Sequence, residues 1–156
     1  MKEYFPDIIN KYMPEIEPYI ENEKVVMRFV GTWIGGGARL SGLYVVTDKK
    51  IYFRGKVKMS AWSTTASLAI SGSKSKHVHM IPLDAIIKVV QKKNVFTITE
   101  KLDWMGEKYA KKGKKMKVAI EIAQGKEAGK KETKDELFAR CDEFRQYIES
   151  KMSASS

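Results

Sequence analysis

The sequence predicts a mainly β (α+β) domain. It would be a curved sheet or partly open barrel of about seven short antiparallel strands, with a short helical lead-in and a C-terminal α-helix over one end. Three observations carry this. Apolar residues alternate with polar ones through most of residues 25–122, the period of a sheet with one buried face. From Thr133 the period becomes helical, with Leu137, Cys141, Phe144 and Ile148 four, three and four apart. Between these stretches lie short polar or glycine-rich breaks suited to turns.

The elements follow in order. In residues 1–23, Pro6 suits the first turn of a short helix over residues 7–13, and Pro14 and Pro18 should interrupt it. From Val25, Met27 and Phe29 share one strand face with it, and Val26, Arg28 and Val30 share the other. Gly35, Gly36 and Gly37 mark a flexible loop. Residues 40–47 and 50–58 read as a hairpin turning at residues 47–50, where the Asp48 carboxylate can bond nearby N–H groups. Its second strand sets Ile51, Phe53, Val57 and Met59 on one face, with Gly55 between. Lys50, Tyr52, Arg54, Lys56 and Lys58 fall on the other.

Residues 62–70 have strand character, and residues 71–75 form a loop. A strand over residues 77–81 ends at Pro82, which marks an edge or an end. Residues 86–90, 95–102 and 116–122 complete the strands, with Phe96 and Ile98 opposite Thr97 and Thr99. Thr133 and Glu136 have capping-box spacing at the start of a helix of about five turns. Residues 152–156 form a polar tail. The division is an acidic appendage at 1–22, a domain at 23–151 and a flexible tail at 152–156.

Length and composition bound the class. At 156 residues and 43% apolar content, the chain suits one domain with a real core. No run reaches the ~20 apolar residues of a membrane-spanning helix. No secretory signal is indicated at the start, and the single cysteine, Cys141, excludes an internal disulfide framework. A cytoplasmic protein, in part peripheral to a membrane, is expected.

Net charge is +10, and its spread is uneven. Residues 1–23 hold two lysines against six acids, residues 24–131 hold 23 basic residues against seven acids, and residues 132–156 hold four against six. This implies an acidic partner, an anionic membrane surface or a protein, or a solubility role. The acidic first segment could also fold over the basic strands and mask them.

Two motifs carry a resemblance. Residues 42–53, Gly-Leu-Tyr-Val-Val-Thr-Asp-Lys-Lys-Ile-Tyr-Phe, and residues 81–89, Ile-Pro-Leu-Asp-Ala-Ile-Ile-Lys-Val, resemble segments of the PH-like superfamily, particularly its GRAM and bacterial PH-like branches. The order of seven strands and one helix is similar too, over about residues 21–151. The resemblance implies a non-catalytic domain that binds lipid headgroups, peptides or proteins. Phosphoinositide-binding PH domains load the first hairpin with basic residues. Here residues 33–40 carry only Arg39, so an inositol-phosphate site is not carried over.

Two groups are candidate ligand contacts. One is the stripe Lys50, Tyr52, Arg54, Lys56 and Lys58, set against the alternative of a solvated strand face. The other is the loop at residues 104–117. It joins Trp104, Met105 and Tyr109 to Lys108, Lys111, Lys112, Lys114 and Lys115, a composition suited to a membrane interface. The alternative there is a mobile loop whose Trp104 tucks back on the barrel.

His77 and His79 share a strand face but have no third ligand at metal-site spacing. No nucleophile with a paired base, spaced carboxylate pair or cofactor fingerprint is present, so neither an enzyme nor a cofactor is expected. The readings are therefore a lipid- or acid-binding module, a protein-interaction or self-association module, and a single-stranded nucleic-acid binder that would stack bases on Tyr52. The last lacks RRM, KH or helix-turn-helix signatures and is the weakest.

Overall fold

The computed structural model describes residues 1–57 and 77–152. The strand expected at residues 62–70, the loop at 71–75, Lys58 and the tail beyond Met152 lie outside them. Helix α1 spans Pro6–Ile16. Seven strands follow: β1 Val25–Gly35, β2 Ala38–Thr47, β3 Lys50–Val57, β4 His79–Pro82, β5 Ile86–Lys92, β6 Val95–Lys101 and β7 Lys115–Ile122. Helix α2 (Glu107–Lys111) lies between β6 and β7. A small hairpin, β8 (Lys126–Glu127) and β9 (Lys130–Lys131), precedes helix α3 (Lys134–Lys151). The alternation in residues 25–122 does not reach this hairpin, and the sequence gives it no apolar face to be read by.

The seven strands form one antiparallel sheet in the order β4-β3-β2-β1-β7-β6-β5. Among the described residues the sheet does not close, since β4 and β5 end it on either side. With one C-terminal helix after it, this is the PH-like arrangement that the sequence resemblance implies. Pro82 closes β4 on the sheet edge, where a missing N–H costs no ladder bond.

Curvature is written into glycines. Gly42 faces Gly55 across β2 and β3, and a Cβ on Gly42 would sit 2.2 Å from the Arg54 carbonyl oxygen. A Cβ on Gly31 would meet the Glu121 carbonyl oxygen of β7 at 1.9 Å. These close approaches let the sheet bend and bring β7 onto β1.

The inner face holds the main core. Phe29, Trp33, Tyr44, Phe53, Phe96, Ile98 and Ile120 pack with Leu137, Cys141, Phe144 and Ile148 of α3. Phe144 meets Phe29 and Phe96 edge-on at 5.0 Å between ring centroids, a favoured aromatic geometry. The expected capping box is present: the Glu136 N–H donates to Thr133 Oγ1 at 3.1 Å, and the Thr133 N–H donates back to Glu136 Oε1 at 3.3 Å. Tyr147 donates to the Thr47 carbonyl at 3.2 Å and Arg145 to Gln91 at 2.8 Å, so α3 seals the end of the barrel holding the β2–β3 and β5–β6 turns.

A second core lies outside the sheet. Ile9, Tyr12 and Ile16 of α1, with Ile20, cover Val30, Leu43, Val45 and Tyr52. The apolar spacing of three and four residues gives α1 one stripe for this purpose. Pro14 does not end the helix as expected. The helix runs through it to Ile16 and continues as a 3₁₀ turn over Glu17–Tyr19. Proline removes one N–H bond, but burying Ile9, Tyr12 and Ile16 outweighs that loss.

The hairpin turn also differs in detail. Thr47 Oγ1, not Asp48, accepts from the N–H groups of Lys49 and Lys50, at 3.1 and 3.0 Å. The Asp48 carboxylate instead accepts from the Lys24 N–H at 3.0 Å and so ties β1 to the turn.

Candidate ligand-binding surface

Strand register sorts the barrel ends. Gly35 pairs with Ala38, Leu40 with Val57 and Lys101 with Lys115, so the β1–β2 loop, the end of β3 and the β6–β7 connection share one end. This is the mouth, opposite the end sealed by α3.

The cationic stripe of β3 is divided by this geometry. Alternation is as expected, but the face is not a solvated surface. Tyr52 is 1% exposed and Arg54 is 4% exposed, because α1 covers them. Arg54 lies 3.2 Å from Glu15, and its guanidinium sits 5.2 Å from the centre of the Tyr12 ring. The Tyr52 hydroxyl donates to Glu23 Oε2 at 2.6 Å, and burial, reinforced by Glu23, raises its pKa well above a tyrosine's usual value. The Tyr52 ring also lies against Tyr19, 6.4 Å between centroids, so no free face remains for a stacked base. Lys50 is half-buried at the sealed end, where its Nζ reaches the Met80 sulfur at 3.9 Å. Lys56 is exposed and lies at the mouth.

The acidic first segment therefore does lie over basic strands. Besides Glu15 on Arg54, Glu3 holds Arg28 through two contacts of 2.7 Å. The signal for this docking was present in the apolar spacing of Ile9, Tyr12, Ile16 and Ile20.

The β6–β7 connection behaves differently. A 3₁₀ turn over Asp103–Met105 leads through Gly106 into α2, and the Leu102 N–H donates to the Lys114 carbonyl at 3.0 Å to close the loop. Gly106 and Gly113 take positive φ values of 129° and 56°, which only glycine adopts without strain. Trp104 is 41% exposed and Met105 48%, so Trp104 does not tuck back on the barrel. Lys108, Lys111, Lys112, Lys114 and Lys115 are all exposed around them. Lys56 and the lysines of this loop thus lie toward the same end of the sheet, while Lys50 is at the other end and Arg54 is internal.

His77 and His79 lie 4.5 Å apart between ring centroids, and His79 stacks on Trp33 at 4.8 Å. Burial, with the nearby His77 and Arg54 charges, lowers the His79 pKa to about 4, so its ring is neutral at ordinary pH. Among the described residues no group of three potential ligands could hold a metal ion.

Two charged groups escaped the sequence reading. Glu132 and Arg140 form a buried pair at 2.6 Å and 2.7 Å; Arg140 also donates to the Ala123 carbonyl, and its guanidinium lies 4.8 Å from the centre of the Tyr4 ring. Burial alone would raise the Glu132 pKa, but hydrogen bonds from Arg140 and the Gly125 N–H outweigh it and hold the pKa low. The other group is Glu100, 3% exposed on β6, whose Oε2 accepts no hydrogen bond among the described residues. Burial raises its pKa to about 7.

No protein-family model matches the chain, and no curated protein matches it in sequence. Solved structures do resemble its fold. The C-terminal domain of an unknown protein from Leishmania infantum superposes with a TM-score of 0.50 at 13% identity, covering 90% of this chain and 98% of that one. The DH/PH domains of PDZ-RhoGEF, solved with GTP-γ-S-activated RhoA, give 0.47 at 11% identity over 92% of this chain. Those of p115-RhoGEF give 0.46 at 11% over 95%. The chain spans only 35% and 38% of those two fragments. At these identities the likeness concerns the fold alone.

Proposed function

We propose that this protein is a non-catalytic, PH-like binding module of the GRAM or bacterial PH-like kind. In this reading its mouth engages an anionic membrane surface from the cytoplasmic side. The supporting observation is the β6–β7 connection. Trp104 and Met105 stand exposed in it, and Lys108, Lys111, Lys112, Lys114 and Lys115 are exposed in the same stretch. An aromatic ring settles at headgroup level, and each nearby lysine contributes about 1 kcal/mol against an anionic leaflet. No helix among the described residues is long and apolar enough to cross a membrane, which accords with binding from one side.

Vesicle flotation tests this. Recovery should rise with anionic lipid and fall as salt is added, because the attraction acts within a Debye length. Equal recovery on neutral vesicles, with no salt dependence, contradicts it. The alternative is a protein-interaction or self-association module using the outer edges of β4 and β5, which end the described sheet without a strand partner. Concentration-dependent dimerisation with no vesicle binding favours that reading.

A further inference from the structure

Glu100 is placed where a purely structural residue would not be a glutamate. Alternate residues of β6 share a face, so Glu100 points to the same side as Phe96 and Ile98, which are fully buried in the inner core. It occupies the inward position nearest the mouth on β6. Ile86 of β5 and Met116 of β7 are its ladder partners, and neither can bond it. The next rung toward the mouth is Lys101 opposite Lys115.

The register of β5 against β6 shifts between Ile86 and Lys88, beside Glu100. Such bulges re-aim side chains and often adjoin functional sites. The charged groups of the adjoining elements do not serve it. Asp84, Lys88, Asp103, Lys115 and Lys117 are exposed, Lys101 is half-exposed, and Glu100 makes no ion pair or hydrogen bond with any described residue.

A buried carboxylate without a partner is costly, and glutamine or methionine would fill the same space more cheaply. Glu100 lies one rung inside Lys101 and Lys115, and a ligand that is only negative would be repelled by its carboxylate once ionised. Resting on the anionic-surface reading above, we propose that the mouth recognises a zwitterion: the rim lysines take a phosphate, and Glu100 takes a primary ammonium carried beside it. A phosphoserine or phosphoethanolamine group has this chemistry, whether as a lipid headgroup or free in solution. The raised Glu100 pKa supports this, since an arriving ammonium would favour the ionised carboxylate and displace its proton. Affinity for the amine should therefore rise with pH through about 7 and then level off.

The test compares vesicles of equal surface charge. Phosphatidylserine carries an amine and phosphatidylglycerol does not. The full chain should bind the former about tenfold more tightly at pH 7.5, as expected for one charge-assisted hydrogen bond. Glu100→Gln should erase the preference while both vesicles still bind. Equal binding of the two by the wild-type chain overturns the proposal but leaves the anionic-surface reading standing, as does a preference that survives Glu100→Gln.

Free O-phosphoserine supplies a second arm, read from the side-chain carboxyl ¹³C shift of Glu100 in the wild-type protein. This does not depend on the variant folding. A saturating shift without vesicle binding supports the zwitterion site and removes the membrane. Failure of both vesicles and of free O-phosphoserine overturns both readings.

Discussion

The outer face of β3 and the β6–β7 connection carry the same kind of sequence, aromatic residues among lysines, yet they end in opposite environments. On β3, Tyr52 and Arg54 are enclosed by α1; Tyr52 is hydrogen-bonded to Glu23 and Arg54 is ion-paired with Glu15. In the connection, Trp104 and Met105 face solvent, and the lysines beside them in sequence are exposed. Alternation tells which residues share a face, but not what covers that face. The cover for β3 comes from a helix more than thirty residues earlier, while nothing among the described residues packs over the tip of the connection.

Removing the cover should have the largest effect. Ile16 is completely buried between α1 and the sheet. Ile16→Ala should destabilise the fold by about 3 kcal/mol, read from the chemical-denaturation midpoint at unchanged slope. A loss under about 0.5 kcal/mol would mean that α1 is not packed as described. That outcome would return Tyr52 and Arg54 to the surface.

Glu100 lies behind the exposed loop and gives a smaller effect with a definite pH signature. Burial moves its pKa from an ordinary 4.5 to about 7, so the folded state holds the proton more tightly than the unfolded chain. Its contribution is therefore most favourable below about pH 4.5 and is lost as pH rises toward about 7. Glu100→Gln should remove that slope and stabilise the protein at pH 8 by on the order of 2 kcal/mol. A parallel pH profile for the two proteins would contradict the burial of the carboxylate.

The lysines of the connection should matter least for stability. Reversing Lys111, Lys112, Lys114 and Lys115 to glutamate should change unfolding free energy by less than about 0.5 kcal/mol per site, because they are exposed. Thermal unfolding checks this. A large drop would show that the loop is part of the core.

What was legible in the sequence was mostly local or periodic. The two faces of β3 as far as Val57, the stripe of α3 and its capping box depend on spacings within a few residues, and all are present. The inward direction of Glu100 was also written in the alternation of Phe96 and Ile98, extended by one more step. Long-range pairing was harder to read. Arg140 finds Glu132 and Tyr4 only once α3 and the first residues are folded together. Pro14 marks a break by its chemistry, and only tertiary burial of its neighbours carries the helix past it.

The most direct measurement is flotation with anionic vesicles for two variants beside the wild-type chain. One carries Lys111, Lys112, Lys114 and Lys115 reversed to glutamate, and the other carries Arg54→Met. The account predicts that the first loses vesicle recovery while its melting temperature is retained, and that the second, if folded, keeps full recovery. Recovery unchanged in the loop variant but lost in a folded Arg54→Met protein would place the binding surface on β3 and contradict the account.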